Sequence, residues 1–296
     1  MLLNKIGVVV LNYKNYGVTI ESVQLLLNQA LPLNIVIVDN GSGNESFEIL
    51  QKSFDNYKNV HVIESKENVG FAKGNNIGIT YLREKKFDTI ALINSDIMME
   101  NENFFKILSR IHFPENVATI GPRIMSLDGI NQNPFYWKNS DFKIYLLLVY
   151  LYLRKIGLPK FGHIKKFFLR KSAKKTETNI NNKSIFQSDK THILNNDEYL
   201  HGSCFILTPK YFKTYDGLYS QTFLYSEEVI LGVLLNKAGM KSEYVSELEV
   251  LHLEDQSSVM DFTNTSKQYV SHTIFGLKQI LKVRKKDISE LIENTK

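Results

Sequence analysis

Polar residues follow each of four short apolar runs in the first half of the chain, and these residues have the side chains for ligand chemistry. The groups are Asn12-Tyr13, Asp39-Asn40, Glu64-Ser65 and Asn94-Ser95-Asp96. If the runs are parallel strands, the groups meet at the carboxyl edge of one sheet, where α/β proteins bind their ligands. The sequence therefore predicts a polar-ligand site at that edge.

Three glycines, Gly70, Gly74 and Gly78, are spaced four residues apart near a predicted helix. Glycine permits a positive φ and close approach by another group, and a helix N-terminus after such a turn favours phosphate. The same spacing also suits a helix that packs closely against its neighbour. Spacing alone leaves both interpretations open.

Strands and helices alternate through this half, which indicates βαβ units on a parallel sheet. Strands are predicted at 6–11, 34–38, 59–63 and 89–93, and helices at 18–27, after the turn at 40–42 and at 75–83. Residues 131–198 lack this rhythm and are predicted to be an insertion. The pattern then returns, with strands at 199–207, 242–246 and 248–252, a helix at 226–238 and a terminal helix near 264–284.

The charge of the chain is concentrated in one segment. Its 296 residues carry 36 Lys and Arg against 31 Asp and Glu, a net charge of +5. Nine of the bases and no acid lie in residues 154–175, which leaves 27 bases against 31 acids, a charge of −4, elsewhere. A general nucleic-acid binder would spread its bases over a face, so we expect a local anionic partner and no nucleic acid.

Several other classes are disfavoured by composition. A single cysteine, Cys204, excludes an intrachain disulfide and a cysteine-rich zinc site, and we expect it to be a buried apolar residue. The N-terminus lacks the basic region and cleavage site of a signal peptide. No apolar run approaches the ~20 residues of a membrane helix. A cytosolic protein is expected.

Four motifs occur in a fixed order in the first half: LNYKN from Leu11, VDNGS at 38–42, ENVGFAKGNNIG at 67–78 and LINSD at 92–96. Together they resemble the family 2 inverting glycosyltransferases of the GT-A fold. The likeness extends to bacterial rhamnosyltransferase-like members that build capsule, O-antigen and cell-wall polysaccharide. It covers roughly residues 5–126 and 199–258, and the ordered set is far more specific than any one motif.

The resemblance implies a nucleotide-sugar donor site at the sheet edge. Asp39 is implied to contact the base or ribose through hydrogen bonds to its carboxylate, although an aspartate in D-N-G-S also stabilises a turn. The residues implied for donor binding are Leu11, Asn12, Tyr13, Asp39, Asn68, Gly70, Lys73, Asn75, Ser95 and Asp96.

The resemblance also implies a divalent cation, Mn²⁺ or Mg²⁺, on the donor diphosphate. Asp96 matches the last carboxylate of a DxD-like motif, whereas Asn94 stands where the first Asp often occurs; a plain strand-end turn is the alternative. His252 matches a late His-x-x-x-x-Ser motif whose histidine contacts metal or diphosphate, and Ser257 would touch phosphate. The glycine common between these two is absent.

The catalytic base is implied to lie in the segment FLYSEEVIL from Phe223. Such a base takes the acceptor proton. We expect Glu228 to be the base, with Glu227 as an acceptor contact or alternative base, although acids at a helix start are also ordinary dipole partners. Ile230 and Leu234 replace an Asp and an Arg of the family. The residues implied at the acceptor side are His201, Gly202 and Tyr225.

Ten apolar residues, Ile144 to Leu153, precede the nine bases. An apolar anchor followed by bases suits an anionic membrane surface, and we expect residues 144–175 to bind one. The alternative is a core helix followed by a solvated basic loop or an oligomer contact.

We therefore expect an α/β GT-A domain at 1–262, built on a Rossmann-like nucleotide-binding sheet with helices on both faces. Its donor half is expected at about 5–126, a basic, partly apolar insertion at about 131–198 and an acceptor half at about 199–262. A C-terminal helical tail would follow at 263–296. The expected activity is metal-dependent transfer from a UDP- or dTDP-sugar to a polyprenyl-diphosphate-linked oligosaccharide at the inner face of the plasma membrane. The open alternatives are a non-catalytic sugar-binding or scaffold subunit, a nucleotidyltransferase and, less favoured, a dinucleotide oxidoreductase. A homo-oligomer is also open.

Overall fold

A computed structural model describes residues 5–155, 190–254 and 267–296. The strands are β1 (Ile6–Asn12), β2 (Asn34–Asp39), β3 (Val60–Glu64), β4 (Thr89–Asn94), β5 (Ile97–Met98), β6 (Val117–Ser126), β7 (Phe135–Tyr136), β8 (His192–Ile193), β9 (Glu198–Tyr199), β10 (Cys204–Leu207) and β11 (Lys241–His252). The helices are α1 (Tyr16–Leu27), α2 (Ser46–Phe54), α3 (Phe71–Glu84), α4 (Phe104–Arg110), α5 (Asp141–Lys155), α6 (Glu227–Lys237), α7 (Lys267–Lys285) and α8 (Ile288–Glu293), with a 3₁₀ turn at Tyr211–Lys213.

One mixed sheet organises the chain, in the order β3-β2-β1-β4-β10-β6-β11-β5, with β8 paired to β11. The four strands predicted in the first half are confirmed, and β3, β2, β1 and β4 are parallel. The sheet changes direction at β10, which is antiparallel to both β4 and β6. Their shared direction places the carboxyl ends of β1, β2 and β4 at one edge.

Helices cover both faces of the sheet, as predicted. Successive residues of β1 pack into different cores: Val9 joins the core with α3 and α5 to α8, and Val8 and Val10 join the core with α1, α2 and α4. All three valines are fully buried, which explains the uninterrupted apolar run. Burying each such side chain stabilises the sheet by about 1.5–3 kcal/mol.

The strand predicted at 199–207 is wrong as a single element. Tyr199 belongs to β9, which pairs with β7 in a separate two-stranded sheet, and β10 begins only at Cys204. Because the amide of His201 donates to Asn133 Oδ1 (2.9 Å), the chain turns away from the main sheet between the two strands. Cys204 is fully buried, as expected.

The two strands predicted at 242–246 and 248–252 form the single strand β11, with a register shift between Val245 and Glu249. The insertion contributes β7, α5, β8 and β9 within the described residues, and α5 packs against α7. The helical tail is present as α7 and α8, whose apolar residues share a core with α5 and α6. No helix in the described ranges is long and apolar enough to cross a membrane.

Candidate active site

The carboxylate of Asp39, at the carboxyl end of β2, accepts three hydrogen bonds that fix its position. Asn12 Nδ2 donates to it at 2.6 Å and Ser42 Oγ at 2.7 Å, and the Ser42 amide donates to the other oxygen at 3.1 Å. Thr19 Oγ1 fixes Asn12 in turn, at 2.6 Å. The turn interpretation of Asp39 therefore holds; its contact with a nucleotide base stays a prediction.

The glycine repeat serves packing at two of its three positions. A β-carbon on Gly74 would come 2.7 Å from Leu11 Cδ1, and one on Gly78 would come 2.5 Å from Val9 Cγ1. These glycines therefore bring α3 directly onto β1. Gly70 differs: its φ is +86°, and the amide of the next residue, Phe71, donates to Phe223 O at 2.8 Å.

The polar residues around the repeat are divided between internal contacts and solvent. Asn68 Oδ1 accepts from the Gly70 amide (3.0 Å) and from Asn40 Nδ2 (3.1 Å), and Asn75 is buried and donates to Phe71 O. Lys73 is exposed. Their contacts with a donor stay predictions.

Asp96 and His252 meet because β5 pairs antiparallel with the end of β11. His252 Nε2 lies 3.5 Å from Asp96 Oδ2, and both side chains are largely buried. The other carboxylate oxygen, Asp96 Oδ1, is buried and has no hydrogen-bond partner among the residues that the structure describes. An unpaired buried carboxylate oxygen beside an imidazole is a donor set that suits Mn²⁺ or Mg²⁺. Among the described residues no cluster of three or more potential ligands occurs, so the protein side of such a site would be these two groups.

His201 lies against the Asp96–His252 pair. Its ring is 5.6 Å from that of His252, in an edge-to-face arrangement, and its Nδ1 is 2.8 Å from Ser203 Oγ. Burial, with a smaller contribution from the nearby His252, lowers the pKa of His201 to about 4. His201 is therefore a neutral polar group near physiological pH.

Glu227 and Glu228 begin α6, directly after two residues in the left-handed region, Tyr225 (φ 72°) and Ser226 (φ 79°). Burial raises the pKa of Glu227 to about 8, and the charge of Glu228 adds to the shift. Burial also raises the pKa of Glu228, opposed by hydrogen bonds from its own backbone and that of Gly202. Strained backbone and raised carboxyl pKa values together are typical of functional sites.

Gly202 lies directly against the Glu228 carboxylate. A β-carbon at position 202 would come 2.7 Å from Glu228 Oε1. Because His201 contacts His252 and its neighbour Gly202 contacts Glu228, one dipeptide joins the candidate cation site to the candidate base. The cavity behind the two glutamates measures only about 20 Å³ and is mostly apolar. Their burial therefore comes from the core and not from a second ligand pocket.

The C-terminal helix α7 supports the turn that carries the glutamates. A β-carbon on Gly276 would come 2.6 Å from Ser226 Oγ and 2.8 Å from Tyr225 O. The Tyr225 ring packs edge-on against Tyr269 (5.1 Å), and Phe223 stacks on His272 (4.7 Å). Nothing in the sequence signals these contacts except the aromatic residues of the turn.

Sequence reasoning also missed the polar run Asn131-Gln132-Asn133. Asn133 fixes the backbone of His201, and Gln132 Oε1 lies 2.7 Å from His252 Nδ1. Three consecutive amides just after a long strand were the available signal. Ser257 lies outside the described residues.

The chain matches the family described as Glycosyl transferase family 2 over residues 7–198. It is 24% identical over 231 residues to the low-salt glycan biosynthesis hexosyltransferase Agl10 of Haloferax volcanii, an alignment covering 77% of this chain and 60% of that protein. It is 32% identical over 121 residues to the dTDP-rhamnosyl transferase RfbF of Shigella flexneri, covering 40% of this chain and 39% of that protein. The chain thus spans less than two thirds of either relative.

Solved structures share the fold at low identity. The mannosyltransferase PcManGT from Pyrobaculum calidifontis, in complex with GDP-Man and Mn²⁺, has a TM-score of 0.53 and 10% identity, over 95% of this chain and 72% of its own. GalNAc-T7 with UDP, GalNAc and Mn²⁺ has a TM-score of 0.56 and 12% identity, over 90% of this chain and 46% of its own. The predicted GT-A fold is confirmed.

Proposed function

Since the chain belongs to glycosyl transferase family 2, we propose that it transfers a sugar from a nucleoside-diphosphate donor to a hydroxyl group of a lipid-linked oligosaccharide, with inversion at the anomeric carbon. The observation that carries the proposal is the His201-Gly202 dipeptide, which contacts His252 on one side and Glu228 on the other. Inversion requires the acceptor to attack the anomeric carbon from the side opposite the leaving group. The base and the leaving-group site must therefore lie on opposite sides of that carbon, and this dipeptide lies between the two candidate sites.

Glu228 is the base in this proposal. A hydrogen bond from the Gly202 backbone favours its ionised form, whereas Glu227 has a buried oxygen without a partner and experiences the charge of Glu228. Glu227, whose pKa is raised to about 8, therefore holds its proton near neutral pH, and Glu228 is the carboxylate whose ionised form the Gly202 backbone supports. The carboxylate of Glu228 takes the acceptor proton while the acceptor oxygen bonds to the anomeric carbon. The bond from that carbon to the diphosphate breaks, and the nucleoside diphosphate leaves with the electron pair.

Asp96 and His252 would hold the divalent cation, and the unpartnered Asp96 Oδ1 supports this assignment. When bound, a cation neutralises the negative charge that develops on the departing diphosphate. His201 adds no positive charge, because burial keeps it neutral. It shapes the space between the diphosphate and the acceptor.

The donor is proposed to be a UDP- or dTDP-sugar, bound beside Asp39 and the main chain at Leu11–Tyr13. One support is the aligned relative named a dTDP-rhamnosyl transferase. The other is the carboxylate of Asp39, whose position is already fixed by hydrogen bonds from Asn12 and Ser42. A role in surface polysaccharide synthesis is supported by the relative named for glycan biosynthesis.

The membrane part of the proposal is supported by the outer face of α5. Its inner face is buried through Ile144, Leu148 and Leu151. Its outer face exposes four large apolar residues, between 42% and 70% accessible: Phe142, Tyr145, Val149 and Tyr152. A solvent-facing helix surface is normally polar, so this stripe needs a partner.

The charges around this stripe favour an anionic lipid surface as that partner. Lys143, Arg154 and Lys155 are exposed on the same helix, and Lys278 Nζ lies 5.2 Å from the Tyr152 ring. The one acid of α5, Asp141, is paired with Arg284 at 2.5 Å. The rest of the basic segment, 156–175, lies outside the described residues. We place the enzyme at the cytoplasmic face of the membrane.

Two measurements test the proposed activity. Thermal-shift screening with UDP-, dTDP- and GDP-sugars plus Mn²⁺ should show stabilisation by one donor class, since a ligand that binds only the folded state raises its stability. Hydrolysis or transfer of that donor in the presence of Mn²⁺ separates an enzyme from a sugar-binding subunit. Stabilisation by a donor without any turnover, even with membrane extract as acceptor, would refute the catalytic proposal.

A further inference from the structure

Gln132 connects His252 to Glu254 at the edge of the candidate cation site. Its amide nitrogen donates to Glu254 Oε1, and its amide oxygen lies 2.7 Å from His252 Nδ1. An ionised carboxylate accepts hydrogen bonds and donates none, so the NH₂ group of Gln132 must face Glu254. The carbonyl oxygen of Gln132 must then face His252.

This orientation determines which nitrogen of His252 carries the proton. An amide oxygen is only an acceptor, so His252 Nδ1 must be the donor. In the neutral ring, Nε2 then has a lone pair, which points towards Asp96 Oδ2 at 3.5 Å. Two acceptors that face each other at this distance repel unless a cation lies between them. Within the described part of the chain, the second oxygen of Asp96 also has no hydrogen-bond partner.

We propose that Gln132 is a positioning residue, which fixes His252 in the tautomer whose Nε2 lone pair can bind the cation. The inference rests on the cation site of the proposed function and adds the residues that prepare it. Neither Gln132 nor Glu254 contacts the donor in this role. Hydrogen bonds to the second nitrogen of a ligating histidine orient the ring in this way, and removing them weakens metal binding about ten- to hundredfold.

The tautomer is measurable without metal, by long-range ¹H–¹⁵N NMR of the histidine rings near neutral pH. A His252→Gln variant identifies the His252 signals among the seven histidines. In the unsubstituted chain we expect His252 to be protonated at Nδ1 alone. In Gln132→Leu we expect the Nε2-protonated form to appear, together with Mn²⁺ affinity about ten- to hundredfold weaker. Gln51→Leu, on the exposed surface of α2, is the matched control and should change neither.

Rescue separates positioning from general structural damage. In Gln132→Glu/Glu254→Gln the carboxylate and the amide exchange places, so Glu at 132 still accepts from Nδ1 and Gln at 254 donates to it. We expect this pair to restore the tautomer and most of the Mn²⁺ affinity.

The proposal is wrong if His252 of the unsubstituted chain is protonated at Nε2, or at both nitrogens. It is also wrong if Gln132→Leu leaves the tautomer and the Mn²⁺ affinity unchanged. Failure of the cation site itself gives a different result: the expected tautomer would be present, but Mn²⁺ would bind equally weakly to the unsubstituted chain and to Asp96→Asn.

Discussion

Gly202 lies so close to Glu228 that a β-carbon on the glycine would come 2.7 Å from the carboxylate oxygen Oε1. Gly202 thus sets the position of the proposed base. It does so from the backbone, through a hydrogen bond that favours the charged carboxylate.

Gly202→Ala is expected to lower the transfer rate tenfold or more while leaving the fold intact. Its φ is not in the left-handed region, so the main effect of the added methyl group is to displace the Glu228 carboxylate from its position. A misplacement of about 1 Å costs on the order of a hundredfold in rate. Steady-state kinetics and thermal unfolding measure the two effects. Gly17→Ala, where the nearest atom is 3.9 Å away, is the control; equal activities of the two variants would contradict the proposed contact.

Glu228→Gln is expected to reduce transfer at least a hundredfold without weakening donor binding. The amide cannot accept the acceptor proton, and general-base catalysis contributes roughly 10²–10⁴ in rate. Donor affinity by calorimetry should be unchanged, because Asp39 and the Asp96–His252 pair stay in place. Glu227→Gln, the neighbouring isosteric change, should retain more activity. If Glu227→Gln is the inactive variant and Glu228→Gln is active, the roles are reversed.

The contribution of Glu227 to the stability of the protein is expected to fall as pH rises from about 5 to 8. The pKa of Glu227 is raised from 4.5 to about 8 in the folded chain, so in this window the unfolded chain binds fewer protons than the folded chain. Each such carboxyl lowers the unfolding free energy by up to about 1.4 kcal/mol per pH unit. The slope should be smaller in Glu227→Gln, and unchanged in Glu102→Gln, an exposed acid. Chemical denaturation across this pH range measures the slopes; parallel profiles for all three proteins would exclude a raised pKa for Glu227.

The sequence predicted the parallel half of the sheet well. Uninterrupted apolar runs as short as 6–11 are too short for a typical helix and therefore indicate strands buried on both faces. The prediction failed at 199–207, where apolar residues lie on both sides of the break at His201-Gly202. That break depends on Asn133, 68 residues away. The start of α3 is at Phe71 and not at 75 because the positive φ of Gly70 ends the preceding turn earlier.

Motif order, which carries information that spacing alone does not, is the basis on which the proposed site residues are predicted. Asp96 and His252 were both selected, and the pairing of β5 with β11 brings them together. Gln132 was missed because its contact with His252 exists only once β6 and β11 lie side by side.

Asp96→Asn is expected to abolish Mn²⁺-dependent donor binding and yet to stabilise the metal-free protein slightly. An unpartnered carboxylate oxygen in a buried site is unfavourable, and an amide removes the charge. Mn²⁺ binding is lost in this variant because the carboxylate of Asp96 is the charged ligand of the proposed site. Thermal unfolding with and without Mn²⁺ tests both parts, with Asp128→Asn, an exposed acid, as control. A lower melting temperature without metal, together with undiminished Mn²⁺ binding, would contradict the assignment of Asp96.

Removal of the apolar stripe on α5 is expected to weaken binding to anionic vesicles. Tyr145→Ser/Val149→Ser removes two exposed apolar side chains from the outer face of the helix. Its buried face, formed by Ile144, Leu148 and Leu151, is unchanged. Vesicles containing phosphatidylglycerol, assayed by co-sedimentation, measure the loss. Tyr57→Ser changes an equally exposed aromatic residue on another part of the surface and should have no effect.

The basic segment 154–175 is expected to supply the second, electrostatic part of the proposed membrane interaction. Each base near an anionic surface contributes about 1 kcal/mol, so replacing three of them by Gln should weaken vesicle binding on the order of a hundredfold. The loss should shrink as salt is raised, because screening already weakens the attraction. Donor binding should be unaffected, since none of these bases belongs to the sequence motifs proposed to bind the donor. If the stripe is instead an oligomer contact, the Tyr145→Ser/Val149→Ser variant will change the sedimentation coefficient and leave vesicle binding intact, which would overturn the membrane assignment.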